Sequence, residues 1–384
     1  MKETNKDYYY KNNTNEISKK NLIFPPLNLA AEVAKNFINN SINGVLYNKK
    51  NFTKIYNPKI SVVIPVYNNE KIIKRTLSSI LNQNMINFEI ILVNDFSKDN
   101  SSLIIKNIQN NDNRIILINN NKNMGTLYSR CIGVLASKGE YILPLDNDDM
   151  FLDRDVFEVI YNEAIERNFD IVKFNGIEVK GIENFFKNKY YKILYTNYNN
   201  NFILYQPELS FYPIKRKKYF GNYVMEDAYL WSKCIKAELY KKAVSLYSKK
   251  KYITYMTSWE DCIINFIIFQ IANSFKYITK YGILRISIFS SANHVTALFK
   301  KNTYEIYFLD TVFEYSKNTY KGKEVILNLI FTLVHRPFFY KTLNVISTKN
   351  YFKFILKKIF NSKFIIEKDK QSIKKLIFKY KLFR

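Results

Sequence analysis

Two spacings of apolar positions alternate through the middle of the chain. "KISVVIPVY", from Lys59, is a short β-branched run of the kind found in strands covered on both faces. "EKIIKRTLSSILNQ" follows and puts Ile72, Ile73, Leu77, Ile80 and Leu81 on one helical face. "FEIILVND" reads as a second strand, "SSLIIKNIQNN" as a helix and "RIILINN" as a third strand. "GTLYSRCIGVLASKG" reads as a helix closed by Gly139, and "EYILPLDNDD" as a fourth strand. "DRDVFEVIYNEAIERNFD" reads as a helix capped by Asp153, before the strand "DIVKFNGIEV". "DAYLWSKCIKAELYKKA" and "TSWEDCIINFIIFQIANS" read as helices. The second has Ser258 as its cap and Glu260-Asp261 in a first turn that the helix dipole suits to acids.

Strand and helix alternating at short intervals predict βαβ units around a mostly parallel, Rossmann-like sheet with helices on both faces. Ligands of such sheets sit beyond the carboxyl ends of the strands. Asp95 falls at one such end, and Asp146, Asp148 and Asp149 at another. Carboxylates drawn together repel one another, and a cation between them is the simplest remedy. A plain turn also favours Asp and Asn.

The bulk numbers narrow the partners. The 384 residues carry a net charge of +26, with 47% apolar residues, so a folded core is affordable and anionic partners are favoured. A codon bias toward Lys, Asn, Ile, Tyr and Phe gives the same charge without any function. Cys131, Cys234 and Cys262 are scattered and odd in number, which speaks against a disulfide framework or a structural zinc site. His294 and His335 are isolated, so no triad or histidine metal site is expected. The N-terminus has no apolar leader, and apolar runs reach only about ten residues against the ~20 that span a bilayer. The chain reads as cytoplasmic, with peripheral membrane attachment left open. Nucleic acid is not an expected partner, because the basic residues lack ordered stacking aromatics between them.

Five segments in order, "SVVIPVYNNEKIIKRTLSSILNQ", "FEIILVNDFSKDNS", "NMGTLYSRCIGVLASKGEYILPLDNDDMF", "LWSKCIKAELYKK" and "SWEDCIINF", resemble the family-2 glycosyltransferases of GT-A fold over roughly residues 59–265. The resemblance implies transfer of a sugar from a nucleotide-diphosphate donor, UDP favoured, to an acceptor hydroxyl on a glycan, lipid-linked or protein-linked. Asp146 and Asp148 match the family's D-x-D. That implies Mn²⁺ or Mg²⁺ on Asp148, and ribose or a water-mediated metal contact for Asp146, since these ions prefer hard oxygen ligands. Asp95 matches the Asp that reads the base or ribose, Pro65 and Tyr67 stand where the base would lie, and Arg130 matches an Arg that meets base or diphosphate. The chain departs from the family's Asp-Asp-Gly-Ser: Asn94-Asp95-Phe96-Ser97 puts a bulky ring beside the nucleotide.

Asp261, preceded by Glu260, matches the general base, which implies a single inverting displacement. Glu226-Asp227 is a rival pair. Lacking both a Gln-x-x-Arg-Trp stretch and membrane spans, the chain resembles the non-processive members. A binding protein of the same fold that has lost catalysis is the alternative. Arg285, in "GILRISIFSSAN", is a further candidate for phosphate. The expected organisation is a polar extension over 1–57, a GT-A domain over 58–298 and a basic helical region over 299–384. From Lys341 to Arg384 there are 13 Lys/Arg against 2 Asp/Glu. Lys353, Lys357 and Lys358 share one helical face there, which suits either packing with a lysine-coated outside or an interfacial helix.

Overall fold

The computed structural model describes residues 57–180, 229–248, 260–287 and 306–315, most of 346–379, Ile326 and Ile330, and the backbone of short strands between 191 and 225. Glu226-Asp227, Ser258, His294 and His335 lie outside the described residues. The described residues fall into two compact units. The first draws on Met1–Leu204, Leu230–Val244 and Ser274–Ser290, the second on Tyr205–Tyr229, Ser245–Asn273 and Ser291–Arg384.

The first unit is built on one mixed sheet. Its strands are β1 (Ile60–Val66), β2 (Phe88–Asn94), β3 (Ile115–Asn119), β4 (Tyr141–Pro144), β5 (Met150–Phe151), β6 (Ile171–Lys180), β7 (Tyr191–Leu194), β8 (Phe202–Tyr205), β11 (Lys233–Lys236) and β12 (Ser274–Ser287). They are ordered β3-β2-β1-β4-β11-β6-β12-β5, with β7 beside β6 and β8 beside β12. β3, β2, β1 and β4 are mutually parallel. All seven residues of β1 and of β2 are buried, which requires cover on both faces of the sheet. Four helices join these strands: α1 (Ile73–Leu81), α2 (Ser101–Gln109), α3 (Thr126–Ala136) and α4 (Val156–Ile165). α1 buries Ile73, Leu77, Ile80 and Leu81, as its periodicity predicts.

Three local expectations change. α3 ends at Ala136 with Ser137 as its C-cap in extended backbone, not at Gly139. Gly139 instead lies against β1, where a Cβ would come within 2.6 Å of the Ser61 nitrogen and hydroxyl. Asp153 does not cap α4; the cap position is Asp155, and the Asp153 carboxylate accepts from the Asp155 amide while both acids bind Lys280. The stretch read as one helix from Asp227 splits, with β11 preceding α5 (Ala237–Ser248). β11 runs antiparallel between β4 and β6, so it interrupts an otherwise parallel run that resumes with β6 and β12.

The second unit contains a small antiparallel pair, β9 (Ile214–Arg216) with β10 (Tyr223–Met225), and α6 (Glu260–Ile271). It also contains a helix over 306–315, here α7, followed by α8 (Ile346–Asn361) and α9 (Glu367–Lys379). Phe266 of α6 meets Phe308 of α7 edge-on at 5.7 Å. Lys358 of α8 bonds Asp310 of α7 at 3.1 Å.

Candidate active site

The strand order turns at β1. The chain steps outward from β1 to β2 and β3, then returns to place β4 on the other side of β1. A crevice opens beyond the carboxyl ends at such a reversal. Pro65, Tyr67, Asp95, Asp146 and Asp148 all stand at those ends, on β1, β2 and β4 or just past them.

The loop after β4 is tied to the loop after β1 through one backbone oxygen. The Asn147 carbonyl accepts from Asn69 Nδ2 at 2.6 Å and from Thr76 Oγ1 at 2.9 Å. The Leu145 amide donates to Val63 O, and the Asp149 amide to Asp146 O. These bonds fix the three carboxylates on a short turn.

Each of the three has a different setting. Asp146 accepts from Arg130 Nη2 at 2.9 Å, and that arginine side chain is only 2% exposed. Asp148 is half-buried, and its carboxyl is pushed up to about 6 by burial and then by Asp146. Asp149 is buried, and neither oxygen has a well-formed hydrogen bond. The Ile286 amide offers it only a weak bond, and burial, then Asp146 and Asp148, hold its carboxyl well above the ordinary range. A buried carboxylate held by so little is costly when charged.

Two further arginines offset this charge. Arg75 on α1 faces Asp148 and Asp149, and burial lowers the guanidinium's hold on its proton while those two carboxylates restore part of it. Arg285 on β12 acts on the same pair. β12 pairs with β5 so that Leu284 opposes Met150, and Arg285 and Asp149 are the residues that flank this pair. Among the described residues no group of three His, Cys, Asp or Glu side chains is arranged to hold a metal by itself. The donor set nevertheless fits a hard divalent ion that takes its remaining ligands from phosphate and water. Asp148 and the orphaned Asp149 oxygens are adjacent hard donors whose repulsion such an ion would relieve.

Asp95 is placed at the crevice but is largely occupied. Its Oδ1 accepts from Asn120 Nδ2 and the Met124 amide, and Oδ2 from the Gly125 amide, each at 2.8 Å. The carboxylate thus anchors the entrance to α3, where Gly125 has φ 88, and α3 carries Arg130. Phe96 follows with φ 64, the left-handed region that the family's glycine would enter freely. For a side-chain-bearing residue that conformation costs about 1–2 kcal/mol. Tyr67 and Phe96 are both exposed, at 48% and 39%.

Asp261 and Glu260 open α6 in the second unit, apart in the sequence from all the strand ends above. Arg75 is the residue to which the sequence assigned no role, while Asp149 was counted in the acidic cluster without a role of its own. Arg75 gives no signal there, being one of a Lys-Arg pair on an amphipathic helix. Asp149 was visible in the acidic run.

Residues 61–222 match the family model described as Glycosyl transferase family 2. The glycosyltransferase GlyA of Streptococcus pneumoniae serotype 4 is 31% identical over 184 residues, covering 48% of this chain and 25% of that protein. The poly(ribitol-phosphate) β-N-acetylglucosaminyltransferase TarP of Staphylococcus aureus is 36% identical over 129 residues, 32% of this chain and 38% of its own length. The chain therefore spans well under half of these relatives. The crystal structure of S. aureus TarS in complex with UDP-GlcNAc superposes with a TM-score of 0.56 at 14% identity, over 84% of this chain and 89% of that one. At that identity the likeness is one of fold.

Proposed function

We propose, from the match of residues 61–222 to the family-2 glycosyltransferase model and from a fold like that of GT-A enzymes, that this chain transfers a hexose-type sugar from a nucleotide diphosphate to an acceptor hydroxyl, without processivity and with inversion. We take the catalytic domain as 58–298, between a polar extension over 1–57 and a basic region over 299–384. The acceptor class is a glycan, free or linked to lipid or protein. UDP is the favoured carrier, since fold neighbours were solved with UDP and with UDP-GlcNAc.

The observation that best supports this is the acidic turn after β4, with Asp148 raised by burial, Asp149 orphaned and Asp146 clasped by Arg130. We assign a Mn²⁺ or Mg²⁺ to Asp148, assisted by Asp146. When bound, that ion neutralises the diphosphate as it leaves. Arg130 steadies Asp146, while Pro65, Tyr67 and Asp95 line the nucleoside side. Asp261, with Glu260 beside it, takes the proton from the acceptor hydroxyl. The acceptor oxygen bonds to the anomeric carbon from one face as the bond to the diphosphate oxygen breaks on the other.

The test is donor turnover by the full chain with Mn²⁺ and a panel of UDP- and GDP-sugars. Release of nucleotide should be lost in Asp148→Ala and in Asp261→Ala and survive in Asp227→Ala. Binding of a nucleotide sugar with no turnover in any condition would instead mean a binding protein of the same fold.

Attachment to an anionic membrane surface is the cellular setting we propose. None of the described helices is long and apolar enough to cross a bilayer. A groove between α8 and α9 is lined by Lys353, Leu356, Lys357, Phe360, Lys374 and Phe378, so cations flank an apolar floor. Phe354 and Phe378 are exposed on the same two helices. Apolar rings with lysines beside them match a lipid interface with acidic headgroups.

A further inference from the structure

We infer that Phe96 is a nucleobase-stacking residue of the donor site, held in a costly backbone conformation for that purpose; the inference rests on the donor-site reading above. The phosphates of a nucleotide belong near the acidic turn after β4, where Arg75, Arg130 and Arg285 gather. The base must then lie over the far side of β1, above the end of β2. Phe96 is the second residue past β2 there. β1 and β2 stay in register to Val66 and Asn94, and the Asp95 amide still donates to Val66 O at 2.8 Å.

The left-handed φ of 64 would relax if the loop were free to move. It is not free. The Asn68 amide donates to Ser97 Oγ, the Lys98 amide to Asn68 Oδ1, the Glu70 amide to Asp99 Oδ2, and the Asn100 amide to Glu70 Oε2. Strain kept in place by surrounding bonds gathers at sites of function. The phenyl ring gains little from the core in return, since 39% of the residue is exposed. Its visible partner is Lys98, whose Nζ lies 3.6 Å from the ring centroid. An exposed cation–π contact is weaker than a base–aromatic stack, so a flat heteroaromatic base can displace the ammonium. Asp95, which the family pattern puts at the base, has three of its acceptor positions filled from within the chain. A ring face is then the recognition element left at this strand end, along with the exposed Tyr67.

Three variants separate ring from backbone. Phe96→Gly removes both ring and strain, Phe96→Ala removes the ring alone, and Phe96→Trp keeps an aromatic face. Each is titrated by calorimetry with UDP and with GDP in the presence of Mn²⁺, and with inorganic pyrophosphate as a probe that has no base. Melting is measured without ligand. Phe96→Gly should melt roughly 2–4 °C higher. Both Phe96→Gly and Phe96→Ala should bind the preferred nucleotide about tenfold more weakly, equivalent to ~1.4 kcal/mol. Phe96→Trp should keep the affinity, and pyrophosphate binding should not change in any variant. Nucleotide affinity within twofold of the parent in the Gly and Ala variants overturns the inference. So does a parallel loss for pyrophosphate, which would make the effect one of the phosphate site. A folded parent chain that takes up neither UDP nor GDP with Mn²⁺ sinks the donor-site reading itself, and the stacking role with it.

Discussion

Arg130 reaches from the middle of α3 to Asp146 at 2.9 Å, a cation 2% exposed holding a carboxylate 31% exposed. The pair joins the helix that follows β3 to the turn that follows β4. Arg130→Ala strips the acid of that partner, though Asp146 can regain some water. A loss of about 1–3 kcal/mol in unfolding free energy is expected by denaturant titration, together with weaker nucleotide binding. Arg130→Lys should recover little, because a point ammonium does not reproduce the guanidinium's planar reach.

Asp148 supplies a pH dependence with a definite sign. Its carboxyl is raised from 3.8 to about 6, so the folded chain holds that proton more tightly than the unfolded chain does. The contribution to stability is full below the ordinary value and is lost as pH climbs through about 6, by at most about 3 kcal/mol. Metal-free protein should therefore lose stability across that window relative to Asp148→Asn. Mn²⁺ needs the charged form, so its thermal stabilisation of the parent should grow over the same window. Melting curves at several pH values, with and without Mn²⁺, compare the two slopes.

Asp149→Asn removes a buried carboxyl whose charged form has no well-formed hydrogen bond to offset burial. The metal-free variant should unfold later than the parent, by about 1–2 kcal/mol. Its response to Mn²⁺ plus UDP should shrink. A variant that melts lower in the absence of metal would show that the carboxylate is structurally required.

Gly133 lies one turn after Arg130 on α3, and a Cβ there would meet Val63 Cγ1 at 2.5 Å. Gly133→Ala should cost about 1–3 kcal/mol by overpacking against β1. The helix must shift to admit the methyl group, taking Arg130 with it. Nucleotide affinity should fall along with stability, whereas Leu135→Ala, at an exposed position of the same helix, should leave both nearly unchanged.

Sedimentation with vesicles tests the membrane contact. The full chain should pellet with vesicles containing phosphatidylglycerol, less so as salt rises, and not with phosphatidylcholine alone. Phe378→Ser should weaken pelleting, since that residue is 74% exposed. Donor hydrolysis in solution should be unaffected.

The sequence made β1, β2 and β4 legible because buried parallel strands are unbroken apolar runs, and Asp146 and Asp148 stood out by following one. β11 was hidden. "KCIK" is four residues with a lysine at each end, flanked by residues that suit a helix, and only its neighbours in the sheet make it a strand. Lys233 is fully buried there, against its usual preference. Arg75 was hidden for a related reason: helical spacing gives its face but not the turn it meets across the fold. Asp95 was visible as a strand-end acid, yet its three internal donors come from a loop some 25–30 residues later, which spacing does not reveal.

β11 also sets the order in which the molecule can be made. β4 pairs on one side with β1, but its other neighbour lies about ninety residues further along the chain, and β6 waits about as long for β12. A nascent chain released after β6 would carry β4 with a bare, apolar, hydrogen-bonding edge. Such edges recruit other chains. Fragments that end between β6 and β11 should consequently collect in the insoluble fraction, although they contain the entire acidic turn.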